Sequence, residues 1–497
     1  MYKDKIWEEY VNLESRNYSI SDGKKVFHKK SYLHFDSKIY FPKELERIKK
    51  IVSDPQRVKS TKFDPFLKIN TKTPRYRYEE EINDYALSTK IRPICFASHR
   101  DALIYGFYSF ALGKKYEEYI KDKEHRDSIL AYRAINGKCN IQFAGEAFDE
   151  IRNKQNCVVL ALDVSGFFDN IDHQVLKEKW CKVIGKKELP IDQYKIYRSV
   201  TKFSYVYQNS LLKNIGVDIK KLDKRPSSLL KLIPGKSGKE KFDYLRKHSL
   251  INDNYSSEKK RQFGIPQGSP ISSLLSNIYF LDFDEKLFRI GKEMNFSFRR
   301  YCDDILIICE KGDYKEIQRL IISEIEKLHL SVQDKKTEIV SFEKTKTGKT
   351  RGLNLKKMIK SPGLEEEKYF KSIQYLGFEF NGQKIYLRSS SLSRYYRKMK
   401  SGVWNTVAMA YGKNEKGSHI FRKKLYERYT HLGKRNFYQY ALNAASKEYK
   451  NSSNEIKKGL NSPSIKKQLS NHFAVLVRTL DKKNEARARM KKMPLKN

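Results

Sequence analysis

Short apolar runs that stop on acidic residues are the clearest pattern in the chain. Asn156-Cys157-Val158-Val159-Leu160-Ala161-Leu162 is the continuous apolar run that a strand covered on both faces needs, and it ends at Asp163. Further on, Phe296-Ser297-Phe298-Arg299-Arg300 and Ile305-Leu306-Ile307-Ile308 flank Tyr301-Cys302-Asp303-Asp304. That pattern predicts a hairpin with two carboxylates at its tip. Elsewhere the period is helical. Leu103, Ile104, Phe107, Phe110 and Ala111 predict a helix from Asp101 to Tyr119. Ile271, Leu274, Leu275, Ile278 and Leu281 predict another after Pro270, with Ser269 as its N-cap. From residue 390 the chain reads as basic and helical.

The acidic tips raise a chemical question. Adjacent strand residues point to opposite faces, so Asp303 and Asp304 diverge. One can hold a metal while the other supports it. Like charges this close raise at least one pKa unless a cation neutralises them. An Asp-Asp turn alone is equally an ordinary turn. Asp163, at the end of a second buried strand, changes that balance, because it could meet the hairpin tip across a sheet. Mg²⁺ takes a few carboxylates plus substrate phosphates, and two ions about 4 Å apart suit phosphoryl transfer.

These residues carry a family resemblance. Leu162-Asp163 through His173 resembles the first catalytic motif of bacterial reverse transcriptases, and Tyr301-Cys302-Asp303-Asp304 resembles their Tyr-X-Asp-Asp box. Gly264-Ile265-Pro266-Gln267-Gly268-Ser269-Pro270 resembles the glycine-rich motif between them, continued by Ser272 to Tyr279. The motifs stand in the family's order and spacing over roughly residues 85–390. The resemblance implies an α+β fold. It would be a right-hand polymerase with fingers and a palm built on a ferredoxin-like antiparallel sheet with helices, followed by an α-helical thumb and C-terminal region. The boundaries it suggests are an N-terminal extension at 1–84, fingers at 85–154, a palm at 155–385 with an insert at 182–260, and a helical thumb with a basic tail at 386–497. The extension reads as a layer supporting the fingers. The Lys-, Ser- and Asn-rich insert reads as mobile until nucleic acid binds.

The resemblance also implies roles. Asp163 and Asp303 would bind two Mg²⁺ (or Mn²⁺ in its place), joined by the Val164 carbonyl, with Asp304 supporting them. Lys336 matches the lysine that protonates or neutralises leaving pyrophosphate; a plain surface lysine is the other reading. Lys90 and Arg92 would grip the incoming triphosphate, and Arg133 would lie against the template. Phe168 would stack under the sugar and exclude a 2′-hydroxyl, while Phe167 packs inward. Gln267 and Gly268 would border the templating base and the nucleotide, with Gly268 allowing a ligand to come close. Tyr301 would line the same site. Tyr375, Leu376 and Gly377 would form the primer grip. Asp169, Asp172 and His173 would cap and pin the helix that follows.

Composition adds a partner. Lys and Arg number 101 against 59 Asp and Glu, a net charge of +42. Such an excess is the footprint of a polyanion-binding surface. The 33 Tyr and 27 Phe interleaved with it suit single-stranded nucleic acid, although many must be core. The expected partners are an RNA template, a structured noncoding RNA in that role, a DNA product and dNTPs, with a homo-oligomer open. Six isolated Cys fit reduced thiols and a cytoplasmic location, and Cys302 reads as packing. No apolar run is long enough to cross a membrane. Within the family, a long basic helical tail with no recognisable nuclease resembles the stand-alone antiphage-defence enzymes of the abortive-infection class. A group II intron or retron-like enzyme is the alternative. An RNA-binding scaffold with a vestigial site is the second alternative.

Overall fold

The computed structural model describes residues 4–14, 18–21, 24–27, 32–79, 84–219, 226–254, 262–345, 347–412, 420–451 and 453–492. The parts of the insert at 220–225 and 255–261, and the tail at 493–497, lie outside the described residues.

The palm is a five-stranded antiparallel sheet in the order Thr350–Asn354, Glu338–Lys344, Cys157–Asp163, Asp304–Cys309, Ser297–Tyr301. Its central strand explains the apolar run. Val158, Leu160 and Leu162 enter one core, while Cys157 and Val159 enter another on the opposite face. Ile305 and Ile307 likewise go to the first core, and Leu306 and Ile308 to the second. A strand buried on both sides has no position to spare for a polar residue until it leaves the sheet. It leaves at Asp163. The register pairs Asp163 with Asp304, and Asp304 with Tyr301 across the tight turn at Cys302 and Asp303. The fold class is therefore α+β, as expected, with the sheet layered between helices and a helical C-terminal region.

The fingers differ from their expected outline in two ways. Their sheet runs in the order Asp84–Phe96, Phe66–Glu79, Ser204–Tyr207, Ile251–Asp253. The long hairpin of the first two strands straddles residue 84, so a boundary there cuts a single antiparallel unit. The last two strands come from the insert at 182–260, whose described part is neither a loop of the palm nor unstructured. It closes a core of its own around Leu67, Val206, Leu211, Leu229 and Leu245. The N-terminal helix packs on the first long helix after the hairpin. Trp7 and Tyr10 of helix Asp4–Glu14 meet Phe107 of helix His99–Ile120 with ring centroids 6.2 and 5.5 Å apart.

Local expectations fare unevenly. The helix expected at 101–119 spans His99–Ile120, capped by Ser98, which accepts from the Asp101 amide. Ser269 is not the cap of the next helix, which spans Ser272–Tyr279. The chain first folds back on itself: the Ser272 amide donates to the Ser269 carbonyl, and the Ser272 hydroxyl donates to the Pro266 carbonyl at 2.7 Å. That leaves the buried Ser269 hydroxyl without a partner. In the C-terminal region, helix Ser389–Ala410 packs on helix His472–Lys492 through Met399, Val403, Val407, Leu476 and Leu480. Tyr395 and Tyr429 are buried there, whereas Trp404 stays 47% exposed beneath Lys483 and Arg487.

If the insert is an integral part of the fingers, Leu245→Ala lowers stability by about 2–5 kcal/mol, the cost of a cavity in a packed core. Denaturant unfolding of the full chain measures this. An unchanged midpoint would mean that Leu245 belongs to no folded core.

Candidate active site

Three carboxylates meet where the palm sheet ends. Asp163 closes the central strand, Asp304 opens its neighbour, and Asp303 sits in the turn before it. The Val164 amide donates to the Asp303 carbonyl at 3.3 Å, which ties the two strand ends together. Residues 331–336 wrap the same end: the Gln333 amide donates to the Asp163 carbonyl, and the Lys336 ammonium donates to Asp163 Oδ2. Lys336 therefore lies in the site and is not a plain surface lysine.

The turn is held from below. Cys302 adopts a left-handed backbone, with φ at +61°. A side chain costs of order 1–3 kcal/mol in that region. Its carbonyl accepts from Arg300 Nη1 at 3.0 Å, while the rest of that guanidinium grips Asp284 at 2.7 and 2.6 Å. The Cys302 side chain is buried, as a packing residue should be.

Electrostatics follow from the crowding. Burial pushes the Asp303 carboxyl above the usual carboxylate range, and the Asp163 charge adds to it. Asp304 opens onto solvent by area, yet the protein around it, then the charges of Asp303 and Asp163, push its carboxyl up to about 7. Lys336 opposes both shifts. Among the described residues, no three Asp, Glu, His or Cys side chains already stand as a cage able to hold an ion. Mg²⁺ does not require one, since it takes one or two carboxylates and completes its shell with waters and substrate phosphates. Hard oxygen donors whose ionised forms are disfavoured without a counter-ion fit a divalent cation.

The other expected residues divide. Phe167 packs inward, stacked on Phe280 at 5.1 Å, and Phe168 beside it is only half-buried. Asp172 caps helix His173–Ile184, and His173 Nε2 meets the Gly264 carbonyl at 2.8 Å, so both are structural. Lys90 and Arg92 share one face of the fingers hairpin, with Arg92 exposed. Gly268 does allow a close approach, but to the fingers strand. A Cβ there would lie 2.8 Å from the Cys95 carbonyl, and the Gln267 carbonyl already accepts from the Cys95 amide at 2.8 Å.

Arg133 is a correction. Its side chain is 2% exposed and is spent on Glu117 and on the Ile129 carbonyl, so it anchors its loop from inside and does not face a template. Tyr375 is also buried, with its hydroxyl unpartnered, and Gly377 and Leu376 form the tight turn beside it, with φ of +94° and +45°. The sequence reasoning missed Arg300, Asp284 and Tyr132. Arg300 falls two residues after the buried Phe298, on the same face of its strand, and that period-2 pattern was the available signal.

A family model described as reverse transcriptase (RNA-dependent DNA polymerase) matches residues 227–380, which include Asp303, Asp304 and Lys336. The chain carries a reverse transcriptase domain. That domain is the one of RNA-directed DNA polymerases, a class that works with divalent metals. Asp163, Arg92 and Tyr132 precede the matched segment. No curated protein matches the chain. Among solved structures, it is similar to telomerase from Candida albicans in complex with a fragment of telomeric RNA, at 12% identity and a TM-score of 0.37, over 90% of this chain and 59% of that one. Apo telomerase from Candida tropicalis gives 13% identity and a TM-score of 0.37, over 69% of this chain and 54% of that one. The chain thus spans little more than half the length of these telomerases, and likenesses at such scores bear no functional weight. No helix among the described residues is long and apolar enough to cross a membrane.

The raised Asp304 pKa sets a pH dependence. Its folded value near 7 lies above the ordinary value of 3.8. Between these values the folded state binds more protons than the unfolded, so this group erodes stability as pH rises. The penalty is absent below about pH 4 and complete above about pH 7. Without divalent metal, Asp304→Asn should therefore raise the unfolding temperature relative to the parent at pH 8, and the gain should shrink toward pH 5. Parallel curves would show that Asp304 is not frustrated.

Proposed function

We propose that the chain is an RNA-directed DNA polymerase that copies an RNA template into cDNA. We further propose that it serves bacterial antiviral defence with a dedicated structured noncoding RNA. The convergence of Asp163, Asp303 and Asp304 at one sheet end carries the polymerase reading. When bound by these carboxylates, two Mg²⁺ ions would supply the Lewis acidity that activates a primer 3′-hydroxyl and neutralises departing pyrophosphate. The chain's own residues do the rest. Asp163 and Asp303 would hold the cations with the Val164 carbonyl, and Asp304 would tune the local charge. Lys336 leaves Asp163 for the pyrophosphate, and Lys90 and Arg92 orient the triphosphate. Gln267, bonded to the fingers strand, fixes the surface beside the templating base. Leu376 and Gly377 aim the primer. The ring of Phe168 leaves no room for a 2′-hydroxyl.

The charge of +42 supports a long polyanionic partner. The defence role draws on the resemblance of the long, basic, helical C-terminal region to that of stand-alone antiphage enzymes. Sequencing the RNA and DNA that copurify with the protein tests this part. One recurrent structured RNA, with cDNA copied from it, is the expected result. A heterogeneous RNA pool removes the dedicated partner.

Asp303→Asn should abolish primer extension while leaving the protein folded; retained incorporation by the purified variant would sink the polymerase assignment. Phe168→Ala should admit ribonucleotides, whereas Phe167→Ala should chiefly destabilise, by about 3–5 kcal/mol. Paired dNTP and rNTP incorporation assays distinguish the two rings. RNA affinity should fall roughly a thousandfold or more between 50 and 200 mM salt if six or more phosphates are neutralised. A binding titration across that range checks it.

A further inference from the structure

Beside the carboxylates lies a loop whose strain the polymerase roles above leave unused. Tyr132, Asn136 and Gly137 all have left-handed backbones, with φ of +61°, +49° and +64°. For a bulky residue such as Tyr132 that is a true outlier, which persists only where the surroundings over-determine it. Here they do. On one side the Ala131 carbonyl accepts from the buried Asn277 side chain at 2.9 Å. On the other, the Arg133 guanidinium is locked inside on Glu117 and the Ile129 carbonyl. Just upstream, the Leu130 amide donates to the Arg300 carbonyl at 2.9 Å, directly beneath the carboxylate turn.

With both neighbours pinned inward, Tyr132 is left exposed between them. It remains 54% exposed, and its hydroxyl rests on Cys302 Sγ at 3.6 Å, one residue from Asp303. The loop's underside, through Leu130 and Ile135, packs with Tyr301 and Leu376, so the loop that carries the ring is seated against the carboxylate hairpin. An aromatic side chain held rigid and left uncovered at this place has the chemistry of a stacking platform. Every nucleobase presents a π-face, and such stacking tolerates any sequence.

We propose that Tyr132 is the stacking platform for the primer-terminal nucleotide, holding the growing end against the carboxylates. This rests on the polymerase reading and adds a residue to it. A platform binds the primer end equally before and during reaction, so its loss raises KM for primer–template and leaves kcat intact. A residue that only shapes the loop would instead lower kcat and the unfolding temperature.

The test uses the full chain and a primer–template carrying 2-aminopurine either at the primer 3′ terminus or at the template position paired with it. Wild type and Tyr132→Phe should quench the primer-terminal probe on binding. Tyr132→Ala should lose that quench, with the primer–template KM raised roughly 5- to 100-fold and the dNTP KM unchanged. Tyr132→Phe should restore the KM, since the ring and not the hydroxyl does the stacking. The proposal is overturned if Tyr132→Ala keeps the primer-terminal quench, if it loses only the template-position quench, or if kcat falls at unchanged KM. Should wild type extend no primer at all, the polymerase reading fails, while the binding and quench measurements still decide the role of Tyr132.

Discussion

The buried ion pair of Arg300 and Asp284 is the interaction on which the rest of the site depends. Both side chains are fully buried, and the guanidinium also lies 4.6 Å above the Phe280 ring. Removing two charges from water is expensive, and such a pair is weak evidence for added stability. Its value here is geometric. One residue bonds helix Leu281–Glu293 through Asp284, helix Ser272–Tyr279 through Asn277, and the turn through the Cys302 carbonyl. Its own carbonyl receives the Leu130 amide. The left-handed turn that displays Asp303 is thus fixed by a hub that cannot slide without stranding a charge in the core.

Above that hub the protein tolerates an unfavourable arrangement. Three carboxylates share one sheet end, two of them shifted toward their protonated forms. The lysine that relieves them belongs to a separate segment, residues 331–336, attached by backbone bonds to Asp163 and Ser165. A fold selected for stability alone would separate such charges. Keeping them together creates a place that favours a cation on a chain of net charge +42.

What could be read in advance was what is local. The palm strands announce themselves because period-2 burial on two faces leaves a continuous apolar run, and the acids stand out at the ends of those runs. The insert did not. Strand Ser204–Tyr207 has four residues and Ile251–Asp253 has three, too few for any period to register. The first becomes a strand by pairing with the fingers hairpin, more than a hundred residues away in sequence, and the second by pairing with the first. Arg133 was read as a ligand for another reason, and Arg300 was not singled out at all. A charged residue in a motif suggests a ligand, and only three-dimensional neighbours such as Glu117 and Asp284 reveal that the charge is consumed inside. Tyr132 was passed over in favour of the charge next to it.

Where the fingers strand meets the glycine-rich motif the join is a backbone hydrogen bond, from the Cys95 amide to the Gln267 carbonyl, and this places the two glycines of that motif. Gly264, at φ +95°, sits so close to the Asp169 carbonyl that a Cβ would be 2.9 Å away. Gly268 does the same against Cys95. A hydrogen bond made by main-chain atoms cannot be lengthened by a rotamer change. The strand that carries Arg92 is therefore held at a set height above the helical turn that carries Phe168, whose own carbonyl accepts from the Ile265 amide at 2.8 Å. One short loop thus carries the spacing from the fingers strand to the Phe168 turn just after Asp163, with glycine needed at both ends because each end is a backbone-to-backbone contact.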